Sequence, residues 1–293
     1  MGVVKPGSLE WNRLITASKV AAILGLSPWE SQRSVWHTMR GDVQRDEANE
    51  VQRRGHYLEP AILAWWRDQH DADTDPFHWR ERPTYTLGDW AAATPDAQYE
   101  DRAVDRCLVE AKSAAYDDDW GDPGTDAIPD YYLVQVQWQL HVSGIRRCYV
   151  PVLTSRLRFV EYVVDYDEAT GPLLEARMRE FYDSLSADMP PPLDGSVATF
   201  QTMRKLHPDI ERGESVELDQ DAAGALVYAV ENLKHWEGRD RLARSTVLDL
   251  MGRAQYATYD GARIARRQPR GDAVTIVVTG KPEDLVTIEE ESA

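Results

Sequence analysis

Cysteine is nearly absent: Cys107 and Cys148 are the only two in 293 residues. Two thiols cannot build a disulfide framework or a four-thiolate zinc or iron–sulfur site. Histidine is sparse as well. Its seven copies show neither H-x-x-x-H nor H-E-x-x-H spacing, which disfavours a zinc hydrolase but not a hard cation held by carboxylates. No apolar run approaches the roughly eighteen residues of a membrane span, and Met1–Glu10 lacks the charged-then-apolar pattern of a secretory signal. A soluble, cytoplasmic chain without a membrane partner is therefore expected. Phenylalanine is scarce, four against ten tryptophans, and the 16 prolines are spread rather than clustered, so no long disordered tract is implied. Positive charge is the last deficit: 33 basic residues against 50 acidic ones leave a net charge of −17. Phosphate contacts demand Lys and Arg, so composition alone argues against a nucleic-acid-binding protein. An enzyme that grips a polyanion locally, through divalent cations and a few arginines, escapes that objection.

What is present is a 42% hydrophobic chain, enough for one large α/β domain or a domain with an appendage. Thr16–Gly25 reads as a short helix that Thr16 or Ser18 can cap and Gly25 ends. Ser27-Pro28-Trp29 is a turn, and Ser31–Arg40 a second helix stopped at Gly41. A third helical stretch runs from about Asp46 to His70, with Leu58, Ile62, Trp65 and Trp66 on one face; Pro60 either kinks it or marks its true start. From Thr84 to Ala115 short apolar runs flank a polar turn, Glu100–Arg106, as in a β-hairpin whose second strand is Cys107–Ser113. An acidic Gly/Pro-rich loop, Tyr116–Pro129, precedes a helix from Asp130 to about Val142. Strands near Cys148–Leu153 and Arg158–Val164 follow, then a helix from about Glu168 to Ser186, and Pro190-Pro191-Pro192 marks a boundary. Beyond it, Asp221–Gly252 reads as a long helix or helical pair with Leu226, Val230 and Leu233 on one face. Gln255–Val278 reads as a hairpin turning near Asp260-Gly261, and the tail Glu283–Ala293 is acidic.

The chemistry concentrates in Thr94-Pro95-Asp96 and Glu110-Ala111-Lys112. Strand side chains alternate, so Glu110 and Lys112 point to one face with Cα atoms about 6.6 Å apart. Asp96, on the partner strand, can close over the same face. Two carboxylates suit Mg²⁺ or Mn²⁺, and a lysine beside them can hold or activate a water. The bare pattern is common, and taken alone a solvent-facing Glu110–Lys112 salt bridge explains it better than a site does. Its neighbours Cys107, Leu108, Val109 and Ala111 place the charged pair within an apolar strand, where charge is costly without a purpose.

Four further segments stand in order around these two: Ile15-Thr16-Ala17-Ser18, Leu24-Gly25-Leu26-Ser27-Pro28-Trp29, Gly55-His56-Tyr57-Leu58-Glu59-Pro60, and Tyr131-Tyr132-Leu133-Val134-Gln135-Val136-Gln137. Together the six resemble the phage lambda-type exonucleases, the YqaJ-like recombinase nucleases of the PD-(D/E)XK superfamily, over about residues 10 to 165. The resemblance implies that Glu59, Asp96 and Glu110, with the main-chain carbonyl of Ala111, hold metal. It implies that Lys112 and Gln135 arrange the attacking water, and that Ser18, with Arg13 as the candidate arginine, binds a DNA 5′-phosphate. Gln135 lies with Tyr131, Trp138 and Gln139 on the helix face opposite Leu133, Val136 and Leu140. Two Mg²⁺ or Mn²⁺ ions per site, double-stranded DNA ends as substrate, a single-strand annealing protein as partner and a ring-like homo-oligomer are also implied. A phage-encoded chain would work in the cytoplasm of a bacterial host.

The fold expected is α/β (α+β): a restriction-endonuclease-like core at residues 8–188, a mixed central sheet flanked by helices, with a helical and β-hairpin appendage at 189–293. The activity expected is Mg²⁺-dependent 5′→3′ exonucleolytic digestion of one strand of linear duplex DNA in service of recombination. The rivals are another PD-(D/E)XK endonuclease and a non-catalytic DNA-end-binding scaffold; two cysteines exclude an iron–sulfur RecB-like exonuclease. Asp117-Asp118-Asp119 reads as a solvated face, and Arg263, Arg266, Arg267 and Arg270 as an exposed strand face able to track DNA or meet a partner.

Overall fold

The computed structural model describes residues 8–44, 46–72, 78–100, 106–116 and 119–279. They fall into two units, Met1–Ile210 and Glu211–Ala293. In the first, Ser8 caps α1 (Leu9–Asn12) by accepting the Trp11 N–H, 3.1 Å. β1 (Ile15–Thr16) leads into α2 (Ala17–Ile23), where Val20, Ala21, Ala22 and Ile23 are buried. Lys19 Nζ ties this helix back to α1 through the carbonyls of Asn12 and Leu14, 2.6 Å each. α3 (Gln32–Arg40) opens on a reciprocal capping box between Ser31 and Ser34 and stops at Gly41, whose φ of 85° suits glycine alone. α4 (Glu50–Gln69) is one helix. Asn49 and Gln52 box its start, and it runs through Pro60 rather than beginning there, burying Ile62, Leu63 and Trp66.

Short strands follow: β2 (Trp79–Glu81), β3 (Tyr85–Leu87), β4 (Ala91–Ala93), β5 (Ala97–Tyr99), β6 (Cys107–Val109) and β7 (Lys112–Ser113). Then come α5 (Asp130–Ser143), β8 (Arg147–Leu153), β9 (Phe159–Asp165), α6 (Thr170–Ser186) and α7 (Val197–Leu206). The expected hairpin is β5–β6, antiparallel with Ala97 opposite Val109 and Tyr99 opposite Cys107. Residues 101–105 of its turn, and Asp117 and Asp118 of the acidic triplet, lie outside the described residues.

The main sheet has the order β2-β5-β6-β8-β7, with β9 paired to β8. β6 and β7 run in one line parallel to β8, with Val109 opposite Tyr149 and Lys112 opposite Val152. Parallel neighbours need a crossover, and α5 supplies it. β8–β9 and β5–β6 are antiparallel, so the sheet is mixed and flanked by helices. This is a restriction-endonuclease-like core. β1, β4 and β3 form a small second sheet, β1 parallel to β4.

Side-chain alternation divides β6 between two cores. Leu108 packs with Val136 and Leu140 of α5, whereas Cys107 and Val109 pack with Leu63 and Trp66 of α4. A third cluster joins α2, α3 and α6 to Trp138 of α5. α5 is thus enclosed on two sides. Trp138 and Gln139 are buried, so the face opposite Leu133, Val136 and Leu140 is covered over its later part, whereas Tyr131 and Gln135 at its start are half-buried. Beyond Pro190–Pro192 the chain turns back: Arg33 donates to the Pro191 carbonyl, 2.7 Å, and Ser31 meets buried Thr199 of α7, 2.7 Å. These contacts carry the first unit past residue 188 to Ile210.

The second unit contains α8 (Gln220–Met251), a single helix capped by Asp219, and an antiparallel sheet of β10 (Tyr256–Tyr259), β11 (Ala262–Arg270) and β12 (Ala273–Val278). Asp260 and Gly261 both have positive φ, 48° and 77°, the conformation of a two-residue hairpin turn. The chain reverses once more at Gly271, so the expected hairpin gains a third strand. Met251, Ala265 and Ile276 make its small core. The acidic tail lies outside the described residues. No described helix is long and apolar enough to cross a membrane.

Candidate active site

Alternation along β6 and β7 decides which layer each charged group meets. Leu108 faces α5, so Glu110 and Lys112, at the same parity, face it too. Glu110 is 4% exposed and is held by four donors. Its Oε1 accepts from Lys112 Nζ (2.8 Å) and Gln135 Nε2 (2.6 Å); its Oε2 accepts from Gln139 Nε2 (2.9 Å) and the Asp96 N–H (3.3 Å). Asp96, which immediately precedes β5, accepts the Ala111 N–H at 2.9 Å. Lys112 Nζ also lies 3.4 Å from Gln135 Oε1 and 4.8 Å above the Tyr132 ring. Asp96, Glu110, Ala111, Lys112 and Gln135 are therefore one connected cluster at the end of β5 and β6.

Two carboxylates share one ammonium there. Burial, reinforced by the charges of Glu110 and Glu59 against that of Lys112, pushes the Asp96 carboxyl well above the ordinary carboxylate range. Burial opposes the charge on Lys112, but Glu110 and Asp96 outweigh it and hold the ammonium protonated above the usual lysine range. In this state Lys112 is a hydrogen-bond donor and not a base.

Glu59 reaches the cluster from α4. Its carboxylate accepts from Arg82 Nη2 at 2.7 Å. Arg82 itself has φ 45°, an unusual conformation for a long side chain, and donates its N–H to the Asp96 carbonyl, 2.9 Å. Its guanidinium is held protonated above the usual range, chiefly by Glu59 and then by Asp96 and Glu110. Among the described residues no three His, Cys, Asp or Glu side chains converge closely enough to hold a metal as they stand. The donor chemistry nonetheless fits a hard divalent cation. The carboxylates of Asp96, Glu110 and Glu59 offer only oxygen, and the negative charges of Glu110 and Glu59 that add to burial in raising Asp96 are what such an ion relieves.

Among the described residues, no hydrogen bond or ion pair joins Ser18 or Arg13 to this cluster. Thr16, not Ser18, occupies the cap position of α2, and Ser18 Oγ lies 3.2 Å from Thr16 Oγ1. Arg13 ends α1. Both are exposed, and among the described residues no hydrogen bond or ion pair joins them. Of the four arginines of β11, Arg267 shares the face of buried Ala265, whereas the register shift between Ala265 and Arg263 puts Arg263 on the face of Tyr256 and Arg266, with Arg270. Arg263 stacks over Tyr256 at 4.1 Å, and Arg267 donates to the Gly252 carbonyl.

Arg82, Gln139 and Tyr132 were missed as site residues. Gln139 falls one helical turn after Gln135, a spacing that signals a shared face. Arg82 carries no signal in the sequence, because its contact depends on a turn conformation that arginine seldom adopts.

A mixed sheet with an acid, then a Glu-x-Lys pair, converging at its strand ends is the arrangement expected of a restriction-endonuclease-like fold carrying the PD-(D/E)XK pattern. Residues 10–146, just under half of the chain, match the family model of the YqaJ-like viral recombinase domain. The uncharacterized protein YqaJ of Bacillus subtilis (strain 168) is 26% identical over 222 residues, 72% of this chain and 65% of that relative. The chain thus spans just under two thirds of the relative's length. Solved structures that the chain matches include the alkaline exonuclease LHK-Exo from Laribacter hongkongensis (TM-score 0.45, 19% identity, 60% of this chain and 90% of that one). Another is a phage related exonuclease from Haemophilus somnus 129PT (TM-score 0.42, 12% identity, 60% of this chain and 96% of that one).

Proposed function

We propose that this chain is a divalent-metal-dependent deoxyribonuclease that degrades one strand of linear duplex DNA from its 5′ end in recombination. The observation that carries the reading is the Asp96–Glu110–Lys112–Gln135 cluster. It buries an acid pair around a single ammonium in an otherwise apolar sheet, an arrangement too costly to be a structural ornament. Asp96, Glu110, Glu59 and the Ala111 carbonyl would hold Mg²⁺ or Mn²⁺, two ions per site. Bound there, the metal supplies Lewis-acid stabilisation of the attacking and leaving oxygens.

The chain's own residues do the rest. Glu110, fixed by four donors, keeps its carboxylate aimed without side-chain reorganisation. Lys112, held as an ammonium, orients a water or steadies a phosphate oxygen, and leaves the water's proton to another acceptor. Gln135 links Lys112 to Glu110 and so sets where that ammonium points. Ser18 and Arg13 would receive the 5′-phosphate, on the family resemblance. A single-strand annealing protein and a homo-oligomeric assembly belong to the same reading.

The test is digestion of end-labelled linear duplex in Mg²⁺, following the two strands separately. Loss of one strand from its 5′ end, with closed circles left intact, is expected. Cutting of closed circles would replace the exonuclease by an endonuclease. Undiminished digestion by Lys112→Ala would remove the site assignment. Selective slowing of 5′-phosphorylated ends in Ser18→Ala and Arg13→Ala is expected; equal slowing of 5′-hydroxyl ends would remove the phosphate pocket.

A further inference from the structure

A row of aromatic rings leads outward from Lys112. The ammonium sits 4.8 Å above Tyr132; Tyr132 and Tyr131 have centroids 4.4 Å apart at 61°; Tyr131 and Trp29 are 5.1 Å apart at 80°. The row starts in the half-buried site and ends at Trp29, which is 63% exposed. Trp29 is not a stray surface side chain. It follows Ser27-Pro28 in the turn between α2 and α3, and Ser27 Oγ accepts the N–H groups of both Trp29 and Glu30, 3.2 Å each. Perpendicular packing against Tyr131 uses the edge of one ring, so faces of the pair stay uncovered by that contact. An exposed tryptophan pinned by its own turn and continuous with a catalytic lysine is a surface built for a flat ligand.

We propose that Trp29 and Tyr131 form a stacking ledge for the bases of the DNA strand whose backbone lies at the Asp96–Glu110–Lys112 cluster. The inference rests on the nuclease reading above and deepens it. The ring-to-ring steps keep Trp29 within about four stacked nucleotides of Lys112, at ~3.4 Å per nucleotide. The ledge also answers the net charge of −17. Acids outnumber the cations that could hold a strand, 50 against 33, and base–aromatic stacking supplies sequence-tolerant affinity without charge. The Leu24–Trp29 segment, which the hydrolytic chemistry leaves unused, thereby acquires a role: it aims one ring.

The experiment is a cycle between protein and substrate. Steady-state kinetics in Mg²⁺ are measured for wild type, Trp29→Ala and Trp29→Phe on linear duplex. The same set is repeated on duplex whose terminal four nucleotides on the digested strand are abasic. Trp29→Ala should raise KM about tenfold, the lower range for loss of one stacked base, with kcat within about twofold and thermal stability unchanged. Trp29→Phe should recover most of the loss. Abasic ends should raise the wild-type KM by a similar factor and add little to Trp29→Ala, because the two changes remove one contact. Equal abasic penalties in wild type and Trp29→Ala, or no recovery with phenylalanine, overturn the ledge while leaving the nuclease standing. Failure of the wild type to cut DNA at all overturns both.

Discussion

Glu110 and Leu226 sit on opposite sides of the usual rule. In the first unit a glutamate and a lysine are sunk to 5% and 13% side-chain exposure, bonded to each other. In the second, Leu226, Leu233 and Trp236 of α8 stand at about 60% exposure on a helix that buries only Met251. The first unit has three apolar clusters layered around α4, the sheet and α5, which make room for charge and supply its hydrogen-bond partners. The second has one small cluster, and most of its helix is supported by local propensity and capping. Burial therefore follows what the rest of the unit can close over, and not polarity alone.

The largest effect should come from breaking the buried pair. Glu110→Ala leaves the Lys112 ammonium without its main partner in a largely buried site, a loss of about 3–5 kcal/mol in stability. Chemical denaturation at neutral pH measures it, and DNA hydrolysis should vanish with it. A loss below about 1 kcal/mol would mean that the pair is solvated in practice and that the contrast between the units is overstated. Next in size is a matched pair of leucines. Leu140→Ala, in the core behind the site, should cost about 2–5 kcal/mol. Leu226→Ala on α8 should stay within about 0.5 kcal/mol. A comparable cost at Leu226 would show that α8 is covered in solution by another surface.

These two units were also unequally legible from sequence. The β5–β6 hairpin, α5 and α6 followed from apolar periodicity, and Glu110 with Lys112 from simple alternation on a strand. Local rules suffice where a feature depends on residues a few positions apart. Long-range ones do not announce themselves. The parallel pairing of β1 with β4, the return of α7 to Ser31 and the reach of Arg82 to Glu59 each join residues distant in the chain. On α8 the spacing of Leu226, Val230 and Leu233 identified a face correctly but said nothing of what covers it. The third strand, β12, was lost because Gly271-Asp272 is a weaker turn signal than Asp260-Gly261. Of the two readings of Pro60, the start of a helix and an interruption within one, the start is ruled out, because Asn49 and Gln52 have already begun the helix.

A smaller effect, of opposite sign, should follow from Asp96→Asn. Its carboxyl is pushed up by burial first and by Glu110 next, so the folded protein retains a proton that the unfolded chain has released. An acid raised in this way supports the fold at acidic pH, and that support is lost as pH rises through its raised value. Asparagine keeps an oxygen for the Ala111 N–H and carries no charge. The metal-free variant should be more stable than wild type by about 1 kcal/mol, the usual size of such gains, and the gap should widen with pH above the ordinary carboxylate range. Thermal melts at pH 5 and pH 8 in chelator measure it. A gap that narrows toward pH 8 would mean that Asp96 is stabilised as an anion, and the charge surplus would disappear as an argument for a cation. Hydrolysis should be lost throughout.

The smallest effect separates a second ion pair of the same site from the first. Arg82–Glu59 resembles Lys112–Glu110 in chemistry, but its guanidinium side chain is 61% exposed against 13% for the lysine. Exposed pairs contribute little, so Arg82→Ala should change stability by less than about 1 kcal/mol. Its consequence lies in metal affinity. The guanidinium is bonded to Glu59, and a cation must take that carboxylate from it. Removing the competitor should tighten Mn²⁺ binding severalfold, as read by calorimetry on the protein with the metal alone. Weaker binding in Arg82→Ala would assign the arginine the opposite part, that of holding Glu59 in the position from which it ligates. Either sign is informative about Glu59, because a carboxylate with no share in the metal site would leave the Mn²⁺ affinity where it was.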